Sequence, residues 1–175
     1  KSNKESISYA SKALKILIKN YPSFCRKKNL YNSYKMLNGA NLAGKAISIS
    51  KTIAPHAISY PFTSLFNIPH GHAVSLSLNK VLKFNFYNQN KDTSNNLKKK
   101  YDLIFKLTET KNIIELDNFL SDIKKKGNLT QNFRELKINI NNDLPKILKG
   151  VNNQRLKNNP IKLLKKDIPL IFKKY

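Results

Sequence analysis

Residues 43–78 read AGKAISISKTIAPHAISYPFTSLFNIPHGHAVSLSL. This stretch holds all three histidines of the chain (His56, His70 and His72), three of its seven prolines and two of its five glycines, while the flanks are ordinary Lys- and Asn-rich sequence. His56 and His70 lie fourteen residues apart with Pro61 and Pro69 between them. A proline deletes a helical hydrogen bond and clashes with the turn before it, so a single unbroken helix cannot carry both histidines. One helix is expected to end near residues 56–60 and another to begin near 67–70. Asn67 is expected to cap the second helix, and Pro69 to fit its first turn, where a missing N–H costs nothing. His70 then projects from a helix start beside Gly71, whose lack of a side chain leaves room for a ligand. Two imidazoles meeting from two helix ends make half of a metal site.

A plainer reading stands beside this one. A histidine in an apolar stretch also serves as a hydrogen-bonded core residue. Zinc or ferrous iron takes three or four protein ligands, yet the remaining histidine is His72 and no Asp or Glu lies between Lys12 and Phe84. The ligand set is incomplete without a contribution from elsewhere.

The run AGKAISISKTIAPHAISYPFTSLFNIPHGHAV resembles a signature of the iron-containing alcohol dehydrogenases. Members of that family carry a small-residue AG-x-A helix, then a histidine ligand thirteen residues after its first alanine, then a Pro-His-Gly whose histidine is a ligand fourteen residues further on. Here these are Ala43, Gly44 and Ala46, then His56, then Pro69, His70 and Gly71, without a gap. Many members also have a histidine four residues after the first ligand. Tyr60 takes that place here, a departure from the family's pattern; one turn beyond His56, it is the candidate to contact substrate or nicotinamide. NLAGKAI, SKT, APHAISYP and IPHGHAV are most similar to the branch that reduces phosphonoacetaldehyde to 2-hydroxyethylphosphonate, and VNNQRLKNNPIKLLKKDI resembles the end of such proteins.

The resemblance implies an all-α fold, the helical-bundle domain that follows a nucleotide-binding α/β domain in this family. It implies Fe²⁺ (or Zn²⁺) held by His56 and His70 with upstream ligands, and NAD(P)H bound mainly by the nucleotide domain. The family's Asp and companion ligand lie further upstream of the first histidine than the fifty-five residues that precede His56 here. The five glycines, at 39, 44, 71, 127 and 150, form no Gly-rich phosphate cradle. Residues 1–175 are therefore read as the C-terminal metal-binding domain alone, a piece expected to be inactive by itself and part of a homo-oligomer when intact.

Lys45, Lys51 and Thr52 are candidate substrate-binding residues. Positions that are mostly apolar or small in the general family are cationic or hydroxylic here, and a phosphonate needs such donors. The competing reading is solvated surface charge, the usual fate of a lysine in this chain. His72 is either a partner that orients a ligand or a polar residue at a cleft rim.

Outward from this stretch the pattern is helical. Ser2 and Glu5 suit a capping box, and Ile7, Ala10, Leu14, Leu17 and Ile18 predict an amphipathic helix over 4–19, ending before Tyr21-Pro22. Leu30, Tyr34, Leu37, Leu42 and Ala46 are in helical register, with Ala40, Ala43, Gly44 and Ala46 read as small packing residues. Val74, Leu78, Val81 and Leu82 predict a core helix over 73–86, and residues 88–96 form a polar break. Helices are expected over 97–107 and 113–125, the second stopped by Gly127, with weaker pieces in 129–147 and a terminal helix over 167–175.

Composition bounds the rest. A chain of 175 residues, 40% of them hydrophobic, can bury one core. No apolar run approaches a membrane span or a signal peptide, and one cysteine, Cys25, excludes an intrachain disulfide and suits the cytoplasm. A net charge of +23 would fit a nucleic-acid binder. Against that, the lysines are dispersed over every predicted helix, arginine is scarce, and Asn and Ile are inflated along with Lys. That joint bias is what AT-rich coding imposes, and it explains the charge without a polynucleotide partner. The resulting expectation is a metal-dependent aldehyde reductase acting on a small aldehyde, with a generic alcohol or lactaldehyde dehydrogenase as the alternative.

Overall fold

The computed structural model describes residues 2–92 and 96–174. In order the helices are α1 (Lys4–Arg26), α2 (Leu30–Ser50), α3 (Ala54–Phe66), α4 (His70–Tyr87), α5 (Asn96–Thr108), α6 (Ile113–Lys126), α7 (Ile140–Gly150), α8 (Asn153–Leu156) and α9 (Ile168–Lys174), with no strand among the described residues. The fold is all-α, as expected. Five of these helices start at an asparagine whose side chain accepts from a free backbone N–H of the first turn: Asn3, Asn29, Asn112, Asn139 and Asn152. The chain's wealth of asparagine thus has a structural use.

Two compact units emerge, one made of the residues through Lys51 with Ile104–Thr110, the other of Thr52–Leu103 with the chain from Lys111 onward. In the first, α1 and α2 pack along their lengths. The capping box is Asn3 with Ser6, not Ser2 with Glu5: Asn3 Oδ1 accepts from the Ser6 N–H at 2.8 Å and Ser6 Oγ from the Asn3 N–H at 3.0 Å. α1 also runs on through Pro22 to Arg26 instead of stopping before it. Packing against α2 offsets a proline cost of about 3 kcal/mol. The tightest approach is at Gly39, where a Cβ would stand 2.7 Å from Leu17 Cδ2, whereas Gly44, expected to pack, meets nothing within 4 Å. In the apolar register of α2, Ala46 is buried while Leu30, Tyr34 and Leu37 are exposed.

In the second unit α3 is the central element. Ala54, Ala57, Ile58 and Phe62 recur every three or four residues and are fully buried. Phe62 stacks on Phe133, centroids 5.9 Å apart, and meets the edge of Phe172 at 6.2 Å. Around them gather Leu76, Val81, Ile147, Leu156, Ile168 and Ile171. Along α4 the buried residues are Ala73, Ser75, Leu76, Ser77, Asn79, Val81 and Asn85, so the expected stripe of Val74, Leu78, Val81 and Leu82 holds only at Val81.

The helix boundaries around the histidines also differ from expectation. No helix ends at 56–60: α2 stops at Ser50, and α3 begins at Ala54 and continues to Phe66 with Pro61 inside it. Pro61 has no N–H to give to the Ala57 carbonyl, and that oxygen instead accepts the Asn152 N–H at 3.2 Å. Asn67 is the left-handed C-cap of α3 (φ 53°), not the N-cap of α4, which follows Pro69 and has no side-chain cap. Asparagine suits either end, because it tolerates the left-handed region as well as accepting at a cap. The polar break after α4 holds a single 3-10 turn, Gln89–Lys91; residues 93–95 of that break, and Tyr175 at the end of the terminal helix, lie outside the described residues.

Candidate metal centre

The histidine pair is built by two helix starts. His56 sits in the first turn of α3, directly after Pro55, and its backbone N–H donates to the Ile53 carbonyl at 3.1 Å. His70 is the first residue of α4. Their side chains converge: His70 Nε2 lies 3.3 Å from His56 Nδ1, with ring centroids 5.2 Å apart and planes inclined at 50°. A single proton can occupy that line, so in a hydrogen-bonded pair one imidazole donates and the other accepts. His56 is half-buried, and burial, followed by the neighbouring His70 and Arg155, pushes it below the usual histidine range. It is a neutral nitrogen donor at physiological pH, the form a metal requires.

The geometry fits two ligands of one ion. Two nitrogens bound to one tetrahedral metal at about 2.0–2.1 Å stand roughly 3.3–3.4 Å apart, close to the separation found. Beside His70, a Cβ on Gly71 would meet nothing within 4 Å, so the approach is open. Among the described residues no cluster of three or more His, Cys, Asp or Glu forms. The pair alone offers two donors, fewer than the three or four that zinc or ferrous iron takes.

Tyr60, one turn beyond His56, places its ring 6.0 Å from that of His70. Over the Tyr60 ring, 5.4 Å from its centroid, lies the Arg155 guanidinium. Arg155 Nη1 donates to Thr52 Oγ1 at 2.7 Å, and Asn158 Nδ2 donates to the Thr52 carbonyl at 3.2 Å. Thr52 is buried, held at both polar groups by the tail of the chain. Asn152 completes the arrangement, its side chain accepting the Arg155 N–H at 2.9 Å while its own N–H is bonded to Ala57. The turn carrying Arg155 is thereby fastened to the residue after His56.

Of the other residues picked out from the sequence, Lys45 and Lys51 belong to the first unit and are exposed there. Lys45 Nζ lies over the Tyr9 ring at 5.8 Å, and Lys51 Nζ donates to the Ser48 carbonyl at 3.3 Å. His72 pairs away from the histidines, its Nε2 2.7 Å from the Thr130 carbonyl. The sequence does not point to Arg155, although the segment containing it, VNNQRLKNNP, resembles a family tail. Its charge was lost among the many other basic residues.

The family profile described as Fe-containing alcohol dehydrogenase family, C-terminal, matches residues 5–175. The chain belongs to the iron-containing alcohol dehydrogenase family. A 1,3-propanediol oxidoreductase superposes with a TM-score of 0.81 at 20% identity, over 98% of this chain and 45% of that one. The sulfoacetaldehyde reductase from Bifidobacterium kashiwanohense, solved in complex with NAD⁺, gives 0.80 at 20% identity, over 98% and 44%. At that identity the likeness establishes the helical fold. In sequence, phosphonoacetaldehyde reductase of Streptomyces viridochromogenes is 41% identical over 46 residues, 26% of this chain and 12% of that protein. The chain spans less than half the length of these relatives. No described helix is long and apolar enough to cross a membrane.

Proposed function

We propose that residues 1–175 are the metal-binding helical domain of an NAD(P)H-linked aldehyde reductase that converts phosphonoacetaldehyde to 2-hydroxyethylphosphonate. The observation that carries this reading is the 3.3 Å approach of His56 and His70 from two helix starts in a member of this family. The short stretch shared with a phosphonoacetaldehyde reductase supports the substrate. His56 and His70 would hold Fe²⁺ or Zn²⁺, which when bound supplies a Lewis acid to polarise a carbonyl oxygen. NAD(P)H would be bound mainly by a nucleotide-binding domain outside residues 1–175, so this piece alone would be inactive. Burial keeps the first imidazole unprotonated, and Tyr60, beside both His70 and Arg155, borders the space where substrate and nicotinamide would meet. Lys45, Lys51 and Thr52 remain proposed substrate contacts, and His72 a residue of the cleft rim. A homo-oligomer in the cytoplasm completes the reading, supported by the exposed apolar side chains of α2 and a single unpaired cysteine.

The test is metal content and turnover together. The longest natural form of the protein, which carries whatever further ligands it has, is stripped with chelator and titrated with Fe²⁺ or Zn²⁺, and bound metal is counted in it and in its His56→Ala and His70→Ala variants. Either substitution should abolish stoichiometric binding; binding that survives in both would sink the metal reading. NAD(P)H oxidation by the longest natural form of the protein, with phosphonoacetaldehyde, lactaldehyde and propanal, then separates the phosphonate branch from a generic alcohol dehydrogenase. Polynucleotide binding with a steep salt dependence and no metal requirement would favour the basic-module reading instead.

A further inference from the structure

We propose that Arg155 is the anion-anchoring residue of this site and grips the phosphonate end of the substrate while the aldehyde end lies at the histidine pair. The identity of that substrate rests on the reading above; the anchor rests on geometry. A guanidinium offers five N–H donors in a planar fork, and the bond from Nη1 goes to a neutral hydroxyl, Thr52 Oγ1. Neither ion pair found among the described residues, Lys83 with Asp117 and Lys126 with Asp122, involves Arg155. Nor can the neighbouring segments supply a carboxylate, since no Asp or Glu occurs between Glu5 and Asp92 or between Asp143 and Asp167. A half-buried arginine whose guanidinium lies over Tyr60, with no carboxylate in the neighbouring segments, calls for an anion from outside the chain.

The choice of side chain points the same way. Three of the thirty-three basic residues are arginine, and Arg26 and Arg134 are exposed while Arg155 is half-buried. Lysine serves almost everywhere that charge alone suffices. The planar fork that lysine lacks matches two oxygens of a tetrahedral oxyanion. The fork is also held in place: Thr52 orients the guanidinium, the Tyr60 ring underlies it, and Asn152 and Asn158 fix its turn. Little side-chain freedom is left to lose on binding. Because Tyr60 borders both Arg155 and His70, the anionic and reacting ends of the substrate lie around one ring, which selects a short molecule.

The experiment compares Arg155→Gln and Arg155→Lys with the natural protein in its full natural length, on phosphonoacetaldehyde and on uncharged propanal. Losing a charge-assisted bidentate contact should lower kcat/KM for the phosphonate aldehyde about ten- to hundredfold more than for propanal, chiefly through KM. Methylphosphonate, titrated calorimetrically, should bind the natural protein and bind Arg155→Gln at least about tenfold more weakly, with Arg155→Lys in between. Equal losses on both aldehydes, or unchanged methylphosphonate binding in Arg155→Gln, overturn the anchor. If the Gln variant does not melt cooperatively, the same comparison in Arg155→Lys decides. A protein that ignores phosphonoacetaldehyde yet binds methylphosphonate through Arg155 keeps the anchor and loses the substrate reading. Tighter binding of methanesulfonate, again through Arg155, keeps the anchor and makes a sulfonate its ligand.

Discussion

Arg155 and Thr52 are 103 positions apart in sequence, and a 2.7 Å hydrogen bond from Nη1 to Oγ1 joins them beside the histidine pair. The join depends on a proline. Pro61 leaves the Ala57 carbonyl without its intrahelical donor, Asn152 supplies one, and the turn bearing Arg155 is drawn onto the first part of α3. A residue that would weaken an isolated helix thus provides the attachment point for the tail.

Thr52→Val should show what this link is worth. The hydroxyl is buried and accepts from a charged donor, so its loss should destabilise the second unit by roughly 1–2 kcal/mol, reduced by the partial exposure of Arg155. Thr52→Ser keeps the acceptor and should recover most of that. Urea midpoints at neutral pH measure both, and a Val variant as stable as the Ser variant would mean that the bond contributes nothing to the fold.

The attachment also leaves no room at Gly150. A Cβ there would lie 2.9 Å from Pro61 Cβ, a contact that only a shift of α7 against α3 can relieve. Gly150→Ala should cost about 1–3 kcal/mol. Gly44→Ala is the control: with nothing within 4 Å in the middle of α2, it should gain up to about 1 kcal/mol from helix propensity. Thermal melts of the two variants should move in opposite directions.

How much of this could be read beforehand depended on the range of the interaction. That His56 and His70 lie on two different helices was legible from the prolines between them, but the break was expected at 56–60 and falls instead at 67–69, because α3 runs through Pro61 and carries His56 in its first turn. Their role is a separate matter, tested by metal content. The all-α fold was legible from helical periodicity. Asn67 was misassigned because asparagine suits both the cap that ends a helix and the one that begins it. The sequence puts Gly44 among the packing residues, yet Gly39 fills that role, since a small residue's sequence position says nothing about which face meets a partner. Arg155 could not be seen because its neighbours are Thr52, Tyr60 and His56, about a hundred positions away, and no periodicity reports such contacts.

A buried lysine gives the chain an alkaline signature. Lys124 donates to the Ser75 carbonyl at 2.7 Å and to Gln131 Oε1 at 3.0 Å, and burial pushes its amine down to about 8, with Lys80 and Lys83 adding to the effect and Asp117 opposing it. Between about pH 8 and the ordinary lysine range the unfolded chain keeps this proton and the folded chain releases it. The unfolded state then binds more protons, so stability rises with pH, by at most about 1.4 kcal/mol per pH unit. Below about 8 both states are protonated and the cost of a buried charge is felt in full. Relative to Lys124→Met, the natural chain should therefore gain stability from pH 8 to 10. Tyr101, whose burial raises its pKa, makes the stability of both proteins fall as unfolded tyrosine ionises, and it cancels from the comparison. Parallel stability curves for the two proteins across pH 8–10 would refute this account of Lys124.

Lys51 occupies a conformation that belongs to glycine. At φ 66° and ψ 176°, it closes α2 immediately before Thr52, in a region that costs a residue with a Cβ about 1–3 kcal/mol. Lys51→Gly removes that strain, and loses about 0.5–1 kcal/mol to the greater freedom of glycine in the unfolded chain. The amine contact to the Ser48 carbonyl is exposed and adds little. The variant should thus melt higher, by a net of the order of 1 kcal/mol, despite losing a side chain. The same variant tests the proposed role of Lys51 toward substrate, because stability and affinity need not move together. A higher melting temperature with weaker methylphosphonate binding would mean that the strained backbone is maintained to present a cation to the anion. A higher melting temperature with unchanged binding would leave Lys51 as surface charge on an awkward turn, and a lower melting temperature would show that the strain inferred from the backbone angles is absent.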